Sequence, residues 1–148
     1  MKALTLTQPW ATLVAIGAKR IETRSWKTSY RGPLAIHAAK EFPKEARKFT
    51  TQPVCYESMR RIARMEMRAN GWRAYPLGCI IATCRLTNVL PVVSLEPLSE
   101  LERAFGDYSP GRFAWILQDV KPLPQPVPMK GALGLWEAGY IGPWERQE

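Results

Sequence analysis

The stretch "TLTQPWATLVAIGAKRIETRSW", residues 5–26, decides the fold because two periodicities alternate within it. Apolar and polar residues alternate over 3–8, which predicts a strand, and Pro9 is suitably placed for the first turn of a following helix. Gly17 can adopt a positive φ and ends that helix. Residues 20–26 alternate again, so the segment predicts a strand, a short helix and a second strand in close succession.

The second of these strands carries charged residues on one face. Side chains on a strand alternate between faces, so Glu22, Arg24 and Trp26 share a side. Lys19, at the exit of the helix, can swing its ammonium group toward the same face. An exposed ion pair in such a place contributes only about 0–1 kcal/mol. A surface salt bridge and the floor of a binding site are both consistent with this pattern.

As a binding site, the same side chains have defined chemistry. Arg24 can hold a phosphate or a carbonyl edge through its planar guanidinium group. Glu22 can accept a hydrogen bond from an exocyclic amine, as carboxylates do with cytosine. Trp26 offers a face on which a base can stack, worth about 1–3 kcal/mol in single-strand binders. If these side chains form a site, they would suit a nucleobase-like ligand.

Two long stretches resemble the ASCH domain, a member of the PUA-like superfamily. The family pattern Gly-x-Lys-x-x-Glu-x-Arg is matched by Gly17, Lys19, Glu22 and Arg24. The flanking "QPWA" and "YRGPLAIHAA" are similar to the family, and so is "FAWILQDVKPLPQPVPMKGALGLWEA" at residues 113–138. The resemblance covers most of residues 4–138 and is weakest over about 41–75.

This resemblance implies an α+β, mainly β fold: a PUA-like small β-barrel with flanking and inserted helices. It also implies a cleft beside the first helix, lined by Lys19, Glu22 and Arg24, with RNA or a modified nucleoside as ligand. Some members of the family hydrolyse N4-acetylcytidine and others are ribonucleases. The amidohydrolases carry a threonine nucleophile where this chain has Glu22.

A hydrolase is therefore the alternative to a binding protein. Its candidate catalytic residues are Lys19, Glu22 and Arg24. Arg24 should lower the pKa of Lys19, which would make that lysine a better general base. Arg24 itself would stabilise an oxyanion or a phosphate.

The rest of the chain predicts one domain, residues 1–148, with short strands separated by turns. A basic helical insertion is expected at about 41–75, and a short acidic helix is expected within "SLEPLSELERAF". The proline-rich "PLPQPVP" indicates a rigid connector between the last two strands. The predicted strands besides those above lie in residues 32–39, 77–93, 111–123 and 131–138.

The positive charge lies in the first half of the chain. Residues 1–39 and 40–75 each carry a net charge of +5, and residues 76–148 carry −2. Such asymmetry favours an anionic partner, and RNA is a common one. Arg60, Arg64 and Arg68 are spaced to share one helical face, which is either a phosphate-binding surface or a solvated face. A third hypothesis is a module whose basic insertion contacts an acidic protein.

Four further residues are candidates for ligand binding. Trp10 follows "QP" at the helix start and either anchors the helix or lines the cleft. Gln8 can reach a base edge or cap the helix. Tyr30, in the "SYRGP" turn, and Lys130, beside Gly131, are candidate contacts that could equally belong to solvated loops.

Several functional classes are not expected. No apolar run approaches the roughly 20 residues needed to cross a bilayer, and the first ten residues lack a signal-peptide pattern. Three cysteines without C-x-x-C spacing fit a reducing compartment. With a single histidine in the chain, we expect neither a metal nor another cofactor. We expect a cytoplasmic protein, monomeric and without a membrane partner.

Overall fold

The computed structural model describes residues 1–60 and 71–142. In these residues, strands account for most of the regular structure, as predicted for an α+β, mainly β fold. The helices are short: α1 (Trp10–Ala15), α2 (Lys44–Phe49), α3 (Pro53–Ser58) and α4 (Glu100–Ala104), with 3-10 turns at Gly71–Ala74 and Val92–Ser94. The strands are β1 (Lys2–Leu6), β2 (Ile21–Arg24), β3 (Gly32–Ala38), β4 (Cys79–Pro91), β5 (Phe113–Pro128) and β6 (Leu135–Glu137).

The strands form one curled sheet in the order β2-β5-β4-β3-β1-β6. β1 and β3 are parallel, and the other neighbours are antiparallel. Three strands separate β2 from β1 in this order, yet Arg24 Nη2 donates to the Thr5 carbonyl at 2.8 Å. The sheet therefore bends back toward itself and forms a partly open barrel, as the strand pattern predicted.

Helix α1 packs between two hydrophobic clusters. Ala11 and Val14 contact the main cluster, formed by buried side chains of the sheet. Leu13 instead packs with the insertion and with the residue that follows α4. Gly17 has φ +83°, so the chain turns sharply into β2 where a side chain would be strained. The second cluster contains Leu13, Ala18, Phe42, Ala46, Cys55, Met59, Tyr75 and Phe105.

The proline-rich segment is part of a strand, so the prediction of a rigid connector is wrong. β5 continues to Pro128 and pairs with β4 on both sides of a register shift, at Pro122 and again at Val127 and Pro128. Its prolines recur at every second position from 122 to 128, so they share one edge of the strand. Met129 N–H, on the opposite edge, donates to the Gly78 carbonyl at 3.0 Å. β2 covers only residues 113–116 of β5, so the prolines face an edge where no amide donor is needed.

The insertion is helical where the structure describes it. α2 and α3 lie within the residues that the sequence predicted to be helical. Arg60 is exposed and pairs with Glu57 at 3.6 Å. Arg64 and Arg68 lie outside the described residues, so the shared arginine face stays a prediction. No helix in the described part of the chain is both long and apolar enough to span a bilayer.

Gly131 allows the loop before β6 to approach the sheet closely. A Cβ atom at this position would lie 2.6 Å from His37 Cε1 and 2.9 Å from Thr5 Oγ1. His37 is buried and hydrogen-bonds to Thr5 Oγ1 at 3.1 Å and to the Met129 carbonyl at 2.7 Å. Thr5 in turn accepts a hydrogen bond from Trp136 Nε1 at 3.1 Å. An alanine at 131 would have to displace this partly buried network.

We therefore expect Gly131→Ala to lower the free energy of unfolding by about 1–3 kcal/mol, because overpacking forces the surrounding groups to shift. Urea denaturation of the purified protein measures this change. Lys130→Ala is the matched control, since Lys130 is the exposed neighbour. A Gly131→Ala protein that unfolds at the wild-type urea concentration would contradict this account of the loop.

Candidate functional site

A recess of about 630 Å³ opens between α1, β2, α2 and the segment after α4. Its volume falls within the roughly 300–1,000 Å³ of small-molecule sites. Elements far apart in sequence contribute to its lining: Thr5, Thr7, Trp10, Glu22, Thr23, Arg24, Pro43, Glu45, Ala46, Ala104, Phe105, Gly106, Asp107 and Arg112.

Glu22 and Arg24 lie side by side in this recess. Strand alternation places both on one face of β2, and Arg24 Nη2 lies 3.0 Å from Glu22 Oε2. The same nitrogen donates to the Thr5 carbonyl at 2.8 Å, which fixes the guanidinium group across the curl of the sheet. The side chains are 12% and 23% exposed, respectively. A carboxylate acceptor and a guanidinium donor therefore stand together in a partly dry recess.

Lys19 lies beneath this pair instead of lining the recess, which corrects the expected position. Its side chain is fully buried, and Nζ lies 3.5 Å from Glu22 Oε1 and donates to the Ile21 carbonyl. The backbone explains this placement, because the N–H groups of Ala18 and Lys19 both donate to the Leu13 carbonyl. The chain thus folds back over the end of α1 and directs the lysine inward.

Burial is the main reason why the pKa of Lys19 is lowered from its ordinary value of 10.5. The nearby carboxylates of Glu22 and Glu102 oppose this shift, and Arg24 adds a smaller lowering. The direction matches the sequence-based expectation, but desolvation is the leading cause instead of Arg24. Lys19 is consequently a buried counter-ion of Glu22.

Glu102 on α4 secures the backbone between Lys19 and Glu22. Its Oε1 accepts hydrogen bonds from Arg20 N at 3.0 Å and from Ile21 N at 2.8 Å. Ser99 caps the start of this helix, and its hydroxyl accepts a hydrogen bond from Glu102 N at 3.1 Å. The sequence predicted this short acidic helix, but gave no indication that it packs beside β2.

We expect Glu102→Ala to lower the free energy of unfolding by about 1–2 kcal/mol, because two main-chain donors lose their acceptor. Glu102→Gln should lower the free energy of unfolding by less, since its amide oxygen can still accept hydrogen bonds from Arg20 N and Ile21 N. Chemical denaturation compares the two, with Glu100→Ala as the control because Glu100 is exposed on the same helix. Equal losses in Glu102→Ala and Glu100→Ala would disprove the anchoring role.

The loop after α4 forms another wall. Arg112 donates from Nη2 to the Thr23 carbonyl at 3.1 Å and from Nε to the Asp107 carbonyl at 3.1 Å. Thr23 Oγ1 accepts from Asp107 N at 3.3 Å. This loop thus provides a donor for one backbone carbonyl of β2 and a donor for the Thr23 hydroxyl. Sequence reasoning missed Asp107 and Arg112, because nothing local to them indicates a contact with residue 23.

Trp10 provides the indole ring that lines the recess. It stacks on Phe49 with ring centroids 5.3 Å apart. The sequence left two roles open for Trp10, a helix anchor and a wall of the cleft. In the structure Trp10 packs against Phe49 and also lines the recess. Trp26, expected to be the stacking residue, packs edge-on against Trp115 with centroids 4.8 Å apart. β2 ends at Arg24, so Trp26 no longer follows its alternation.

The other expected ligand contacts lie outside the recess. Gln8 is buried; its Oε1 accepts from Thr12 N at 3.0 Å and its Nε2 donates to the Pro76 carbonyl at 2.9 Å. Gln8 therefore caps α1, one of its two predicted roles. The Tyr30 hydroxyl donates to the Pro33 carbonyl beside the main core. Lys130 is exposed and is not part of the lining.

Comparison with known proteins gives one family. The model of the ASCH domain matches residues 4–126. Activating signal cointegrator 1 of Mus musculus and that of Homo sapiens are each 29% identical to this chain over 134 residues. The match covers 90% of this chain and 22% of each relative, so the chain spans about a fifth of their length.

Solved structures of an ASCH protein from Zymomonas mobilis are also similar. The unmodified protein and two single-residue variants match at 17% sequence identity with a TM-score of 0.46. These matches cover 86% of this chain and 72–74% of the solved chains.

Proposed function

Because the chain belongs to the ASCH domain family, we propose that it binds RNA by holding one base in the recess above Glu22 and Arg24. The family is generally associated with RNA, and within the described residues the recess is a feature that suits a base. The observation that carries the proposal is the paired carboxylate and guanidinium of these two residues, 3.0 Å apart and only partly exposed.

The Glu22–Arg24 pair is complementary to a base edge. Nucleobases present hydrogen-bond donors beside acceptors, for which a carboxylate and a guanidinium group are matched partners. Both described contacts of Arg24 involve Nη2, so the guanidinium keeps donors that these contacts do not use. Hydrogen bonds to charged groups contribute about 1.5–3 kcal/mol, more than neutral ones do.

The charge of the recess favours a base over a phosphate. Its lining carries the carboxylates of Glu22, Glu45 and Asp107 and the guanidinium groups of Arg24 and Arg112. Lys19, buried beneath Glu22, brings the formal charge of this group of residues to zero. A phosphate would meet as much repulsion as attraction there, whereas a neutral base needs no excess of positive charge.

Trp10 supports the same ligand class. Its ring is half-buried in the wall and is held in place by Phe49. Stacking of a base on an aromatic side chain contributes about 1–3 kcal/mol. We assign to Trp10 the stacking role that the sequence suggested for Trp26.

The hydrolase alternative depended on Lys19 as general base. A general base must come within hydrogen-bond reach of the proton that it removes. The Lys19 side chain is fully buried and is held by Glu22 and the Ile21 carbonyl, so it does not reach the recess. The geometry supports a structural role for Lys19 in a binding site.

A steric block tests the proposed function. Ala104 lines the recess and is exposed, so Ala104→Trp should fill the mouth of the recess without disturbing the core. We expect about a tenfold or greater loss of affinity, at least 1.4 kcal/mol, for fluorescein-labelled eight-nucleotide RNAs measured by anisotropy. Leu101→Trp, on the same helix, is the control. Unchanged affinity in a folded Ala104→Trp protein would refute binding in the recess.

A further inference from the structure

Two arginines of the insertion pack against one tryptophan, outside the lining of the recess. Arg47, on α2, and Arg73, in the 3-10 turn at Gly71–Ala74, both pack against Trp72. Each guanidinium carbon lies 4.8 Å from the centroid of the indole ring. Trp72 itself packs edge-on against the buried ring of Phe42, with centroids 5.6 Å apart. The indole ring is therefore anchored and presents the two arginines.

These arginines lack counter-ions in the described part of the chain. Neither forms an ion pair there, and Arg47 Nε is buried without a hydrogen-bond partner. Each cation–π contact contributes only about 0.5–2 kcal/mol, so neither contact takes the place of a counter-ion. A phosphate bound to either guanidinium group would supply the missing counter-charge and would use donors other than the buried Arg47 Nε.

The position of the arginines links them to the recess. Arg47 directly follows Ala46, which lines the recess, so α2 has the recess on one side and Trp72 on another. A helix is about 10 Å across with its side chains, a distance that about one or two nucleotides can span. The recess provides no excess positive charge, so phosphates of a bound strand must find their counter-charges elsewhere.

We propose that Arg47 and Arg73, presented by Trp72, bind backbone phosphates of the RNA strand whose base occupies the recess. This inference rests on the proposed function, and it adds a separate phosphate site to it. Arginine is suited to this role because its planar group can bind two phosphate oxygens at once. In this division, the recess selects the base and the insertion contributes affinity that depends on salt.

The test compares RNA with nucleosides. In Arg47→Gln/Arg73→Gln, affinity for fluorescein-labelled eight-nucleotide RNAs should fall about tenfold at low salt, and the slope of log K against log salt should flatten by about 0.7 per lost phosphate contact. Affinity for free nucleosides should be unchanged. Arg85→Gln is the control for loss of charge, because Arg85 is exposed on β4. Arg47→Lys/Arg73→Lys keeps both charges and should retain most of the slope.

The outcomes separate the two proposals. A flattened slope with unchanged nucleoside binding supports the phosphate site. A slope equal to that of Arg85→Gln overturns the phosphate site, while nucleoside binding in the same protein leaves the recess proposal standing. A flattened slope in Arg47→Gln/Arg73→Gln, combined with a wild-type protein that binds no nucleoside, would instead support the arginine site and remove the base from the recess.

Discussion

Replacing Glu22 with glutamine is expected to lower the free energy of unfolding by about 3 kcal/mol, because breaking a buried ion pair leaves a charge without its partner. Lys19 would keep its full burial and lose its nearest carboxylate, which lies 3.5 Å away. Urea denaturation at pH 7 measures the effect. Glu45→Gln provides the control, since Glu45 also lines the recess but is 85% exposed and pairs with Lys48 on the surface.

The cause can be isolated with a second substitution. In Lys19→Met/Glu22→Gln the buried ammonium is absent, so the loss should be clearly smaller than in Glu22→Gln alone. Such coupling is the signature of a direct interaction in a double-mutant cycle. If the double variant is as unstable as the sum of the two single variants, Lys19 is not held by Glu22 in the way described.

The stability of Glu22→Gln should also have a defined pH dependence. The pKa of Lys19 is lowered in the folded protein, so between that pKa and 10.5 the unfolded chain binds a proton that the folded one has lost. Stability contributed by this group therefore rises with pH in that window. Removing Glu22 lowers the pKa further and starts the window at a lower pH. The deficit of Glu22→Gln should shrink as the pH rises from 7 toward 10.5, whereas a constant or growing deficit would contradict this linkage.

The second large effect concerns binding. Arg24→Lys keeps the charge but removes the planar guanidinium group, so it should weaken nucleoside binding by about 1.5–3 kcal/mol, roughly 10- to 150-fold. Isothermal titration with cytidine, uridine, adenosine and guanosine measures the change.

The control for this prediction is Arg31→Lys. The Arg31 guanidinium donates to the carbonyls of Thr28 and Tyr30 within its own loop, outside the recess. It should leave nucleoside binding unchanged. Equal affinities in Arg24→Lys and the wild-type protein would remove Arg24 from the binding site.

Local patterns sufficed for part of the fold. Alternation in residues 20–26 predicted β2 and placed Glu22 and Arg24 on one face, which the structure confirms. Gly17 ended α1 where a positive φ was needed. These features depend on neighbours within a few residues, so the sequence contains the necessary information.

The remaining features depend on distant contacts. The inward direction of Lys19 results from the turn after α1, whose Ala18 belongs to the second cluster together with residues of the insertion and Phe105. Glu102 contacts Ile21 across 81 positions, and Arg112 contacts Thr23 across 89. The prolines of β5 were misread because their tolerance depends on which edge of the strand is paired. None of these pairings is visible in local periodicity.

The most direct test of the central claim is a map of the ligand contacts by ¹H–¹⁵N correlation spectra during titration with the four nucleosides. A base held above Glu22 and Arg24 should shift the amide signals of Thr23, Arg24, Gly106 and Asp107. All four shifts should saturate and should fit the same dissociation constant. Saturable shifts confined to residues outside the recess, with these four amides unmoved, would show that the ligand binds somewhere else.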